Sequence, residues 1–256
     1  MSPISQQGLT DCLIQARRQG LTPTSVDWAD ALDDTTAAYA IQDQVAAELG
    51  WFADAPARHW KSGGPSRDAA LTHAPLPPAA VRASPADFSV LRFHGLGIEA
   101  EVALRLGREV SPALAATLTP ESAESLIEAM AVSVEVVASR WLEAGAAPAL
   151  LRLADQQSHG ALALGEWLPY QRRDWAQQRC EVQIGNQPIS AYTGTHSLGD
   201  PAWLLPLWLR HLTRAGANVP AGTIVTTGTW CGLLPAKAGD TISVAFDGLG
   251  QVSLRL

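Results

Sequence analysis

Gly97-Ile98-Glu99-Ala100-Glu101-Val102-Ala103-Leu104 is the stretch that decides how this chain folds. Its apolar residues alternate. In a β-strand, side chains two apart share a face, so Ile98, Ala100, Val102 and Leu104 take the core side. Glu99 and Glu101 then stand next to each other on the other side. Two carboxylates that close repel, and each raises the other's pKa. A divalent cation between them removes the conflict, and hard oxygen donors suit Mg²⁺, Mn²⁺ or Ca²⁺. A solvated strand face carrying two ordinary glutamates is the plainer alternative.

Working outward, Met130-Ala131-Val132-Ser133-Val134-Glu135-Val136-Val137 reads as a second strand, rich in β-branched residues. Val132, Val134 and Val136 share one face, which puts Glu135 on the other with Ser133. A buried Glu in such a run must be paired, protonated or bound to a metal. Glu99, Glu101 and Glu135 together would supply three ligands of an octahedral site. Waters or substrate oxygens would fill the rest, as a catalytic magnesium site needs.

The chain has 256 residues, of which 47% are hydrophobic and 17% charged, a globular composition. Its net charge is −7 and basic residues never run beyond an Arg-Arg pair, so neither nucleic acid nor an anionic membrane is expected as a partner. The three cysteines, Cys12, Cys180 and Cys231, form no C-x-x-C spacing. That argues against a disulfide framework or a zinc site and favours a reducing cytoplasm. The first 20 residues carry no secretory signal, and no apolar run is long enough to span a membrane.

The chain opens with helical spacing at Leu9, Leu13 and Ala16. Asp34 caps a second helix carrying Ile41 and Val45, stopped at Gly50. The Pro-rich stretch 74–86 reads as an extended connector, so residues 1–86 form a helical region with its connector and 87–256 a β-rich core. Within that core Thr119-Pro120-Glu121 opens a helix to about Ala129. Asp200-Pro201 opens another, along Trp203, Leu204, Leu207, Trp208, His211 and Leu212. Pro206 bends that helix or delays its start. Strands 241–246 and 251–256 close the chain as a hairpin.

Several segments, in order, resemble the hydratase/decarboxylase branch of the fumarylacetoacetate hydrolase superfamily. They are Trp60-Lys61, Gly97 to Ala103, Val134 to Arg140, Leu153-Ala154-Asp155 with Ser158-His159-Gly160, and Leu198 to Pro201. Thr227-Gly228-Thr229, Pro235 to Asp240 and Phe246 to Gly250 complete the set. The resemblance spans about residues 55–256. It implies an α+β fold, a β-rich mixed β-roll core with a smaller helical N-terminal region. It implies Mg²⁺ or Mn²⁺ held by Glu99, Glu101 and Glu135, a small 2-oxo acid as substrate, and a homo-oligomer. Ser62-Gly63-Gly64 and Asp155-Gln156 depart from the family's usual Lys-Ile-Gly and Asp-Asn.

A 2-oxo acid chelates a cation through its carboxylate and ketone oxygens, and the cation stabilises the enolate formed on proton loss. Hydration, decarboxylation and tautomerisation all pass through that intermediate. The expected activity is therefore a metal-dependent lyase, similar to 2-keto-4-pentenoate hydratases or 4-oxalocrotonate decarboxylases. A C–C bond hydrolase, or a non-catalytic partner of an active paralogue, is the alternative. Lys61 is the candidate second positive group and, if its pKa is depressed, a proton shuttle. Asp155 is a candidate catalytic group that orients water or substrate. Ser158 and Thr229 are candidates for holding the substrate. His159 and His196 lie in motif-bearing loops, and Cys231 reads as wall or core.

Overall fold

The computed structural model describes residues 5–53 and 55–256. Helices α1 (Gln6–Gln19) and α2 (Thr35–Glu48) come first. Ser5 and Asp34 cap them, each accepting a backbone N–H three residues on. Strands β1 (His59–Gly63), β2 (Thr72–Pro75), β3 (Val81–Ala83), β4 (Ala86–Asp87) and β5 (Gly97–Leu106) follow. Short helices α3 (Pro112–Thr117) and α4 (Pro120–Ala123) lead into β6 (Ile127–Val137), α5 (Ala149–Ala154), β7 (His159–Leu164) and β8 (Leu168–Pro169). Then come β9 (Arg179–Ile184), β10 (Ser190–Thr193), α6 (Leu205–Leu212), β11 (Ile224–Thr226), β12 (Leu234–Pro235), β13 (Thr241–Phe246) and β14 (Gly250–Arg255).

The fold is α+β and sheet-dominated. A nine-stranded mixed sheet runs β2-β1-β11-β5-β6-β7-β3, with β12 extending the β5 side and β8 the β6 side. A five-stranded sheet runs β10-β9-β13-β14-β4. The alternation in β5 does what its sequence asks. Ile98, Ala100, Val102 and Leu104 join Val132, Val134 and Val136 in the core, with Trp208, Trp230, Phe88 and Phe246. Each fully buried Val, Leu, Ile or Phe among them contributes roughly 1.5–3 kcal/mol. A separate cluster of Leu9, Leu13, Ile41, Val45, Trp141 and Leu151 fastens α1 and α2 to α5.

The division at residue 86 is not followed by the sheets, because β1 and β2 already belong to the large sheet and β1 pairs in parallel with β11, far along the chain. The Pro-rich stretch is likewise woven in, β3 against β7 and β4 against β14. The helix at Thr119 forms its capping box but gives way at Ile127, where β6 pairs with Leu106 of β5. Strand pairing there overrides local helical propensity. Pro206 delays its helix: 201–204 form a 3₁₀ turn and α6 starts at Leu205.

Candidate active site

The site lies across five neighbouring strands, on the face of the large sheet opposite the main core. The β5–β6 register sets Glu99 directly opposite Glu135 and Glu101 opposite Ser133. Oxygens of Glu99, Glu101 and Glu135 lie within 4.8 Å of one another. Glu101 and Glu135 are buried and Glu99 is half-buried. Beside them, β11 presents Thr226, whose hydroxyl donates to Glu101 Oε2 and lies 2.8 Å from Ser133 Oγ. The Gly228 N–H donates to the same carboxylate oxygen at 3.0 Å. Gly228 has φ 104°, a backbone angle that suits glycine, so the N–H reaches Glu101 without side-chain strain.

On the next strand, Lys61 of β1 is in register with Thr226. Its Nζ donates to Glu135 Oε1 at 2.6 Å and to the Gln157 carbonyl at 3.2 Å. From β7, His159 Nδ1 lies 3.1 Å from the same Glu135 oxygen. Burial by itself would lower the Lys61 pKa, but Glu135, Glu99 and Glu101 outweigh it and the pKa is raised. The depressed value that a proton shuttle needs is therefore not found: Lys61 is an ammonium ion. Burial would raise Glu135, yet Lys61 and His159 hold it down as a carboxylate. Burial pushes Glu99 up to about 7, with Lys61 pulling it down and Glu135 adding to the rise, and burial followed by Glu135 and Glu99 pushes Glu101 to about 8.

These residues fit a divalent cation. Glu135 Oε2 is fully buried and has no hydrogen-bond partner among the described residues. Three carboxylates and one ammonium leave two negative charges without a counter-charge, so two carboxyls must hold protons or share a cation. The donors are all oxygens, the set that suits hard divalent cations such as Mg²⁺, Mn²⁺ or Ca²⁺.

A 620 Å³ cavity leads to the group, with Lys61, Glu99, Ser139, Gln157 and Ser158 in its wall. Ser158 thus lies in the cavity wall. Gln156, Gln157 and Ser158 have φ of 47°, 52° and 58°, three consecutive left-handed residues that carry a backbone cost. That turn delivers the Gln157 carbonyl to Lys61. Asp155 starts the turn but faces away from the cavity wall. It is fully buried, with Arg140 Nε at 2.5 Å, Arg17 Nη2 at 3.1 Å and the Arg140 N–H at 3.0 Å. This places Asp155 as an anchor of the turn rather than a group touching substrate. Thr229 does not line the cavity either; its hydroxyl donates to the Gly232 carbonyl and accepts the Cys231 N–H, closing its own turn. His196 is buried beside Trp230 and bonds the Thr227 carbonyl at 2.9 Å. Cys231 Sγ accepts the Ala100 N–H at 3.3 Å, behind the strand. Sequence reading passed over Gln157, Thr226 and Arg152, all polar residues in the cavity or on the carboxylates. An Arg three residues before an Asp, with Leu153 and Ala154 between them, carries no local signal of facing a cavity.

A family model described as fumarylacetoacetate hydrolase C-terminal matches residues 41–256. The chain belongs to that family. A relative, 2-keto-4-pentenoate hydratase 1 of Dechloromonas aromatica (strain RCB), is 34% identical over 162 residues, 61% of this chain and 58% of that protein. The match thus spans under two thirds of that relative. A 4-oxalocrotonate decarboxylase of Pseudomonas putida is 30% identical over 74 residues, 29% of this chain and 28% of that one. Among solved structures, 4-oxalocrotonate decarboxylase from Pseudomonas putida G7, complexed with magnesium and adipate, superposes with TM-score 0.81 at 20% identity. It covers 98% of this chain and 96% of its own. Fumarylpyruvate hydrolase from Pseudomonas aeruginosa, with Mn²⁺ and pyruvate, gives TM-score 0.56 at 18% identity, covering 77% of this chain and 88% of that one. At these identities the likeness is one of fold.

Proposed function

We propose that this family member is a divalent-cation-dependent lyase acting on a small 2-oxo acid, as a hydratase or a decarboxylase. The observation that carries the reading is the convergence of Glu99, Glu101 and Glu135, with Lys61 beside them, at a cavity of ligand size. Glu99, Glu101 and Glu135 would hold Mg²⁺ or Mn²⁺, which, when bound, supplies Lewis-acid stabilisation of the enolate of a chelating 2-oxo acid. The remaining work falls to the chain. Thr226 and Gly228 orient Glu101, and Lys61 and His159 orient Glu135. Lys61 Nζ offers its third proton to the substrate's carboxylate or ketone oxygen. Ser158 and Gln157 line the space beyond. The relatives' names support the hydratase/decarboxylase reading over C–C hydrolysis.

Solvent exchange tests this directly. The purified chain with Mg²⁺ in D₂O should remove the C3 proton signal of a 2-oxo acid from the NMR spectrum, and EDTA should stop it. Exchange at the no-enzyme rate across a panel of 2-oxo acids would overturn the enolising reading. It would favour a non-catalytic partner subunit.

A further inference from the structure

One arginine in the cavity has no counter-charge. Arg152 lies on α5 and lines the same wall as Lys61, Glu99, Gln157 and Ser158. Those three charged residues are the only ones among the described residues of that wall. Lys61 is held by Glu135 at 2.6 Å. Elsewhere, Arg17 and Arg140 are held by Asp155. The Arg152 side chain makes no hydrogen bond or ion pair among the described residues, and its Nε is fully buried without a partner. The other cations whose side chains make no hydrogen bond or ion pair among the described residues, Arg92, Arg108, Lys237 and Arg255, are all exposed, where water serves them. Arg152 is half-buried. A partly desolvated guanidinium with an orphaned N–H is unfavourable until an anion reaches it. Its planar fork matches a carboxylate.

We infer that Arg152 receives a second carboxylate of the ligand, so that the preferred substrate is a 2-oxo diacid rather than a 2-oxo monoacid. The inference rests on the proposed function. One end of the substrate, the 2-oxo carboxylate, belongs at Glu99, Glu101, Glu135 and Lys61. The other end, within the same 620 Å³ cavity, belongs at Arg152. An apolar wall of Val137, Leu150, Leu153 and Leu233 runs alongside and suits a hydrocarbon middle. Selection is then electrostatic: a monoacid leaves the guanidinium unpaired, and a diacid pairs it.

The test uses acids of equal chain length on the Mg²⁺-loaded full chain. Wild type should exchange C3 protons of 2-oxohexanedioate with a higher kcat/KM than those of 2-oxohexanoate. Arg152→Gln should lower the diacid value by about 10- to 100-fold more than the monoacid value, the range for a hydrogen-bonded charge. Arg152→Lys should recover part of the loss. Equal effects on both acids, or on neither, would overturn the inference. So would an altered oligomeric state with unaltered selectivity, because the partner of Arg152 would then be another copy of the chain. Calorimetry with hexanedioate and hexanoate, which lack the 2-oxo group, separates the two claims. Absence of exchange, combined with hexanedioate binding that weakens in Arg152→Gln, would sink the enolising reading and keep Arg152 as a carboxylate receptor. Hexanedioate binding no tighter than hexanoate, with exchange intact and unselective, would sink the assignment of Arg152 alone.

Discussion

Asp155→Asn separates anchoring from chemistry most sharply. The side chain is fully buried, and its carboxylate faces two guanidiniums, Arg140 at 2.5 Å and Arg17 at 3.1 Å. One negative charge therefore serves two positive ones. Burial and then Arg140 already push Arg17 down to about 9, so the cluster is short of negative charge before any change. The substitution keeps the shape and one acceptor oxygen but leaves both guanidiniums without a counter-ion. Breaking a buried pair in this way costs ~3–5 kcal/mol. For a chain of this size each kcal/mol lowers Tm by about 2–4 °C, which gives a fall of about 6–20 °C. Differential scanning calorimetry of the two proteins, matched in buffer and metal, reads it. Below the variant's transition Mn²⁺ affinity should stay within about threefold of wild type, because no oxygen of the three-glutamate group is touched. A variant that melts within ~2 °C of wild type, yet loses exchange activity, would refute the reasoning and return Asp155 to the reacting groups.

Glu101→Gln removes a ligand charge while keeping its bonds to Thr226 and Gly228 within reach. Mn²⁺ affinity by calorimetry should fall by at least ~10-fold, the lower range for losing a supporting residue of a metal site, and wild-type affinity would place the cation elsewhere. Lys61→Met should lower kcat by ~10²–10³-fold, the range for losing a donor aimed at developing negative charge, and an unchanged rate would reduce Lys61 to a prop for Glu135. His73 is buried against Ser62 Oγ at 2.8 Å, and burial, then His211, push it down to about 3, so the folded state holds it neutral. The unfolded chain binds its proton near pH 6.5, so stability is full above that value. It falls by about 1.4 kcal/mol per pH unit between 6.5 and 3. Glu99 and Glu101, raised to about 7 and 8, titrate in the same window with the opposite sign but do so in both proteins, so the gap between wild type and His73→Leu carries the test. From pH 7.5 through 6 to 5 the urea midpoint of wild type should lose ground to that of His73→Leu, and parallel series would show His73 charged in the fold.

The E-x-E stretch told most of its story locally. Period-two alternation fixes which face each side chain takes, so the burial of Ile98, Ala100, Val102 and Leu104 and the pairing of Glu99 with Glu101 follow from eight residues. Capping obeys the same logic, which is why Ser111, Thr119 and Asp200 each start a helix where their side chains accept a backbone N–H. Order of motifs added the family and the α+β architecture. What the sequence did not hold was everything set by register and chain path. Glu135 meets Glu99 because β5 and β6 pair in one register, and a one-residue slip would turn it to the core. Lys61 meets Glu135 only because β1 enters the sheet beside β11. Asp155, equally polar on paper, is drawn to Arg17 from the N-terminal helix and to Arg140. Arg152 ends facing the cavity unpaired. Side-chain direction along a strand is a property of the strand; which charges come to face each other is a property of the closed sheet, and only tertiary pairing decides it.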